Sequence, residues 1–452
     1  MIKWQILSIC AVVAISYWRT IFYGYVIDDM DVKDKSAGLP HKTKLQLFWW
    51  QIIGKKYVDP KVEHGIVMAI HAINCLLIYF AFGKDNIGFM TALFFAVNPA
   101  GTQGSVWISG KCYALSAMAV LLMWLFKWVS PLLYIAALRY CALTGGPAFV
   151  LYVFSFWPLC LMVLPAWYWR KRLFPGQIAG IAHRYSSSSK DIKRFQFRNI
   201  ILYLKTLGYY IKLGLFPWHL GVFHPFMYCH GVSKKDTEES YQLDRYFYIG
   251  LFTVFVLITN LIWNRTPAIF GLFWFVLFIS PWCNFIQLQQ FIGERYLYLP
   301  LIGLMYFLAN MIQAIPWPYN MLVFGWVFLC YWLRLQWHLP SYKNIDNQIM
   351  HNLMNFPEMY ACYTWLGNLA NTANAKFIAL EWWFKGWKLR PVDFRLNNNI
   401  AITLTDLGFL DDAEKFLKAA EDSLIEENKK DGLTWINYER SRIAILRKLK
   451  RR

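Results

Sequence analysis

The sequence predicts an all-α membrane protein: a polytopic transmembrane helical bundle of about eleven spans followed by a C-terminal α-solenoid. Three observations carry this expectation. Of 452 residues, 57% are hydrophobic and only 16% charged, whereas soluble domains carry about 25% charged residues. Apolar runs approaching the ~20 residues needed to cross a bilayer recur as far as Trp337. Beyond that point they give way to a polar tail in which small residues repeat. The chain is accordingly divided into a transmembrane domain, 1–337, and a repeat domain, 338–452.

The expected spans run 4–22, 62–82, 87–97, 106–125, 129–143, 148–169, 200–216, 247–263, 268–283, 297–315 and 321–336, the third and fifth being the shortest or most interrupted. The first lacks a small-residue cleavage site and leads straight into an acidic loop, so it reads as a retained helix. Aromatic residues reach 19%, including 23 Trp, which suits interfacial belts. The net charge of +19 fits cytoplasmic loops and anionic lipid rather than nucleic acid. The nine cysteines lie mostly in apolar runs without Cys-x-x-Cys spacing and read as small buried hydrophobes.

Lys and Arg set the orientation. With a cytoplasmic N-terminus, the inward loops hold Lys3, Lys84, Lys127, Arg170 to Arg172, the stretch Arg184 to Arg198, and Arg265. Asp28 and Asp29, the Asn98-Pro99 turn, the loop from Pro217 to Arg245, and Gln287 to Tyr296 then face the periplasm or a lumen. An odd number of spans puts the tail on the same side. Between the first two spans, Lys42 to Lys56 has lysines flanking an aromatic-aliphatic centre and reads as a helix lying along the outer membrane surface. An ordinary loop is the alternative.

In the tail, Leu366-Gly367, Ala370, Ala379, Gly386 and Pro391 have the spacing of a tetratricopeptide repeat. About 34 residues later, Ile400-Ala401, Leu404, Ala413 and Ala420 occupy the corresponding positions. Two repeats and a partial third, around Leu433 to Leu446, are expected; an unrelated stack of helical hairpins is the alternative. The basic end, Arg447 to Arg452, is either a solvated face or a contact for anionic headgroups or an acidic acceptor.

Asp28 and Asp29 are the sharpest clue to chemistry. A carboxylate pair at a membrane edge must be solvated, paired or functional, because an unpaired buried charge is costly. Transfer of a sugar from a polyprenyl-phosphate donor suits outward acids. One carboxylate can take the proton of the attacking hydroxyl, and a second can orient the first. The departing lipid phosphate needs cations, and the candidates are Arg295, with Tyr296 beside it, and Lys111. Arg295 otherwise serves as a snorkelling anchor or a partner for Glu294. His64 and His71 share one helix face without a metal-chelating pattern; they are hydrogen-bonding groups, either structural or near the acceptor or phosphate. His219 and His224 lie in an outward loop able to cover a site.

These motifs together resemble the transmembrane and tetratricopeptide-repeat-containing O-mannosyltransferases, within the GT-C class of lipid-phosphate-sugar transferases. Asp28-Asp29 resembles their acidic pair in the first luminal loop. His64 and His71 match their His-x-x-Asn-x-x-x-His pattern, with Val67 in place of Asn. Asn98-Pro99 and Trp107-Ile108-Ser109-Gly110-Lys111 resemble their turn and following helix, with Lys111 where Arg is commoner. Glu294-Arg295-Tyr296-Leu297-Tyr298-Leu299-Pro300 is the most specific match. The resemblance covers about Asp28 to Pro300 and then the repeats. It implies a GT-C bundle in the bacterial inner membrane or endoplasmic reticulum that transfers one hexose, mannose by this likeness, to a protein Ser or Thr hydroxyl with inversion. Asp28 would be the base, Asp29 its support, and Arg295, Lys111 and Tyr296 the donor-phosphate group. Glu294, His64, His71 and His219 would support these or approach the acceptor, which the repeats would bind.

No cofactor is expected. Asp28 and Asp29, with Asp31 and Asp34 nearby, also suit a divalent cation; metal-independent transfer is preferred because a lipid phosphate can leave with cationic side chains alone. The rival readings are an O-antigen-type ligase or polymerase that moves whole glycans, and a non-enzymatic membrane anchor displaying a repeat scaffold.

Overall fold

The computed structural model describes residues 2–26, 29, 59–127, 132–134, 136–137, 141–156, 197–224, 241–263, 266–285, 292–426 and 433–450. Asp28, the expected surface helix 42–56, most of the fifth span, the end of the sixth and nearly all of the basic stretch before the seventh lie outside these residues. Among the described residues every regular element is helical and no strand occurs. The chain divides into two compact units: the described residues up to Gln348 apart from 221–224, and 221–224 with the residues from Ile349 onward.

The first unit contains α1 (Ile2–Tyr17), α2 (Pro60–Ala81), α3 (Asn86–Val97), α4 (Lys111–Leu125), α5 (Gly145–Phe156), α6 (Asn199–Leu215), α7 (Arg245–Trp263), α8 (Pro267–Ile279), α9 (Tyr298–Gln313) and α10 (Tyr319–His338). Five helical segments are long and apolar enough to cross a membrane: Ile2–Phe22, Pro60–Ala81, Ile108–Leu125, Arg245–Trp263 and Glu294–Gln313. The chain is therefore a membrane protein. Asn86–Val97 and Pro267–Trp282 are shorter apolar helices. At 12 residues, α3 rises only about 18 Å, well under the ~30 Å hydrocarbon core.

Local chemistry explains these limits. Pro60 occupies the first turn of α2, where its missing N–H costs nothing, and the Asp59 side chain accepts from Lys61 N. The Asp85 side chain caps α3 through Gly88 N. Asn98 ends it: its carboxamide accepts from Ala100 N at 2.9 Å and donates to Gly214 O of α6 at 2.8 Å. The buried face of α2 reads Glu63, His64, Val67, Ile70, His71, Asn74, Cys75, Ile78, a helical stripe that meets α3 and α4. Polar residues at one end of this stripe and apolar ones at the other mark where the helix reaches a polar interior.

In the second unit, α12 (Tyr360–Thr372) packs on α13 (Lys376–Leu389), and α14 (Phe394–Leu407) on α15 (Leu410–Glu426); α13 meets α14, and α15 meets α16 (Leu433–Lys450). The connecting helix α11 (Ile345–Asn355) precedes them. Ala379, Trp383, Leu396, Ile400, Ala401, Ala413, Leu417 and Ala420 form the shared core. Small residues there bring neighbouring helix backbones close. Residues 221–224 join this unit through Asn352, whose carboxamide bonds both Phe223 N (2.9 Å) and Phe223 O (3.2 Å).

Candidate functional site

After α3, residues 98–110 follow an irregular path almost wholly removed from solvent. Buried irregular backbone needs internal hydrogen bonds. Part of what satisfies it is a carboxylate. The Asp29 side chain is fully buried and accepts three bonds: from Ser109 N at 2.8 Å and Ser109 Oγ at 2.5 Å on one oxygen, and from Val26 N at 3.1 Å on the other. Asp29 thus ties the start of the first loop to the turn before α4. A carboxylate so fully engaged suits holding a loop better than receiving a proton.

Two residues further on, Lys111 opens α4 and meets Glu63, from the first turn of α2, at 2.5 Å. Both side chains are buried, 2% and 5% exposed respectively. Burial, then the negative charges of Glu63, Asp29 and Asp59, pushes the Tyr25 phenol up to about 12. Three carboxylates therefore converge around Tyr25, and Lys111 neutralises one of them.

The same turn reaches the Glu294–Leu297 segment. The Arg295 guanidinium lies 5.7 Å from the Trp107 ring centroid and 5.0 Å from that of Tyr296. Tyr296 itself stacks on Trp282 at 4.0 Å with planes 10° apart. Gln103 binds both neighbours of this segment: its carbonyl accepts from Arg295 N at 3.1 Å, and its amide donates to Glu294 at 3.4 Å. Gly110 sits so close to Gln103 that a Cβ there would fall 1.7 Å from the Gln103 carbonyl oxygen. Between Trp107 and Lys111, one turn thus touches the acid, the cation and the glutamine that positions the cation.

No family model, curated protein or solved structure matched this chain. The site accordingly stands on its geometry.

That geometry redistributes the expected roles. Asp29, Lys111, Arg295, Tyr296 and Glu294 all pack around the one turn and its neighbour. Lys111, expected beside the donor phosphate, is committed to Glu63. Glu294 is fully buried, which places it beneath the site rather than facing an acceptor. His64 is buried, with Nε2 3.2 Å from Gly24 O, and so braces the end of the first span. His71 lies deeper, with Nδ1 2.8 Å from Tyr298 Oη; Asn74 donates to the same hydroxyl at 3.2 Å and to Ala114 O at 3.0 Å. His219 is exposed, whereas the His224 ring packs 5.0 Å from Phe356 in the second unit.

Several participants were passed over in the sequence. Glu63 and Arg334 are charges inside apolar runs, and that misplacement was the available signal. Arg334 donates to Pro217 O at 3.1 Å and to Trp218 O. Lys212, in the last turn of α6, and Arg334 both lie within electrostatic reach of Glu294. Tyr342 closes this side. Burial, then Glu294, keeps its phenol well above the ordinary value, so that it stays protonated. Among the described residues, no group of three or more histidine, cysteine, aspartate or glutamate side chains is placed to hold a metal.

Proposed function

We propose that this chain is a membrane glycosyltransferase of the GT-C class, similar to the transmembrane and tetratricopeptide-repeat-containing O-mannosyltransferases. It moves a single hexose, mannose by that resemblance, from a polyprenyl-phosphate to a protein Ser or Thr hydroxyl, inverting the anomeric centre. The observation that carries this reading is the Trp107–Lys111 turn, which joins Asp29 to Arg295 through Ser109 and Trp107. An acid to serve the attacking hydroxyl and a cation to receive the leaving phosphate are what the chemistry requires.

Asp28 is the general base in this reading, and Asp29 fixes the loop that presents it. Arg295, braced on two aromatic faces, stabilises the charge developing on the departing phosphate, with Lys212 nearby as a second cation. Lys111 takes a supporting role through Glu63. By the Lys/Arg distribution the N-terminus is cytoplasmic, and the site and tail face the periplasm or lumen. The first unit is read as the eleven-span bundle, with its shorter helices as partial crossings. The second is read as a tetratricopeptide solenoid, supported by the buried small residues Gly367, Ala379 and Gly386 and by Ala401, Ala413 and Ala420 about 34 residues on. Its concave face would hold the acceptor.

The test is transfer by the full chain in lipid nanodiscs, supplied with polyprenyl-phosphate mannose and scored by mass spectrometry of acceptor proteins. A single-hexose increment is expected. A ladder of long glycans formed only from a diphosphate-linked donor would replace this reading with the ligase. No transfer from either donor class would leave the scaffold.

A further inference from the structure

We infer that the buried Glu63–Lys111 ion pair is a positioning latch for the acidic centre, holding the Ser109 donors on Asp29. The inference rests on the proposed glycosyl transfer for its kinetic consequence. Its structural basis is independent of that reaction.

Three observations converge. Lys111 is the first residue of α4, and the 3₁₀ turn Ile108–Gly110 runs directly into it, so wherever its ammonium is fixed, Ser109 is fixed two residues away. Glu63 belongs to the first turn of α2, whose start is anchored by the Asp59 cap and Pro60; the pair therefore clamps a mobile type of structure, a short 3₁₀ turn, to a rigid one. Finally, Tyr25 has both Glu63 and Asp29 among its electrostatic neighbours, which places the latch and the acid in the same cluster. Lys111 offsets one of two neighbouring negative charges there. Without it, Glu63 and Asp29 would repel, and Ser109 would lose the end of its tether.

A second consequence concerns the sequence. An ammonium buried against a carboxylate is poorly placed to receive a lipid phosphate as well, because lending it to the phosphate leaves Glu63 buried and unpaired. Lys111 acts on the reaction through Ser109 and Asp29, not by touching the donor.

The experiment uses the full chain in nanodiscs, comparing wild type with Glu63→Gln, Lys111→Met and Lys111→Arg. Steady-state transfer from polyprenyl-phosphate mannose is measured together with hydrogen–deuterium exchange of peptides covering residues 106–113. Glu63→Gln and Lys111→Met should each lower kcat at least 30-fold while changing donor KM less than threefold. Both should speed amide exchange in the 106–113 peptides at least tenfold. Lys111→Arg, which can rebuild the pair, should restore most of both. Unchanged exchange in Glu63→Gln would overturn the latch whatever the activity. So would a Lys111→Met enzyme with wild-type kcat and a raised donor KM, the signature of a phosphate ligand. If the wild type transfers nothing, the proposed function fails; faster exchange in Glu63→Gln would still support the latch.

Discussion

Removing one hydroxyl should disable this protein without unfolding it. Ser109→Ala deletes the 2.5 Å bond from Oγ to Asp29 and leaves the Ser109 and Val26 backbone donors in place. A hydrogen bond to a buried charged group is worth about 1.5–3 kcal/mol. At about 1.4 kcal/mol per factor of ten, its full expression in the transition state lowers kcat roughly 10- to 150-fold. The lower end applies if water enters the space left by the hydroxyl. The Ser109→Thr variant keeps the donor and should retain most activity, which separates the bond from simple packing. The assay is transfer of labelled mannose from polyprenyl-phosphate mannose in nanodiscs, with thermal unfolding followed in parallel. A Ser109→Ala enzyme that unfolds like wild type and keeps kcat within twofold would refute the role given to Asp29 and its turn.

Three further outcomes are expected. Arg295→Lys keeps the charge but gives up the flat packing on Trp107 and Tyr296; with cation–π contacts worth about 0.5–2 kcal/mol, donor KM should rise roughly 3- to 30-fold, and an unchanged KM would remove Arg295 from the phosphate site. Burial alone would raise the Asp406 carboxyl, but hydrogen bonds from Lys376 and Arg442 outweigh it and hold the group below its ordinary value; its stabilising contribution is therefore present above the ordinary carboxylate range, about pH 4, and lost as pH falls through the lower folded value. Hydrogen exchange across α14 and α16 should accelerate in that acid window, and Asp406→Asn should flatten the dependence. A Cβ at Gly367 would fall 2.2 Å from the Trp383 indole nitrogen; Gly367→Ala should cost about 1–3 kcal/mol of local stability, read as faster exchange in α12 and α13, and unaltered exchange would argue against close packing of that helix pair.

Much of the helical framework was legible from short-range chemistry. Asp59-Pro60 marks the start of α2 and Asn98-Pro99 the end of α3, because capping and the missing proline N–H act within a few residues. Apolar length identified the membrane helices for the same reason. The site was less legible. Glu63 and Lys111 are 48 residues apart, and nothing local says that the two meet; each was visible only as a charge in an apolar segment, for which pairing is the commonest resolution. The twofold use of Ser109 could not be foreseen, since a serine in an apolar run more often bonds its own helix. Trp107 under Arg295 likewise depends on a fold that brings residues far apart in the chain together. The Glu-Arg-Tyr run was nonetheless visible as a motif, because its charged pair interrupts apolar sequence at a span boundary.

The central claim is transfer of one hexose from a lipid phosphate with Asp28 as base. Its most direct test compares wild type and Asp28→Asn at matched expression, with polyprenyl-phosphate mannose as donor and single-hexose addition to acceptor serines and threonines counted by mass spectrometry. The account predicts robust transfer by wild type and a loss of at least a thousandfold, about 4 kcal/mol of barrier, in a variant that still binds donor. Transfer by Asp28→Asn at the wild-type rate would contradict it.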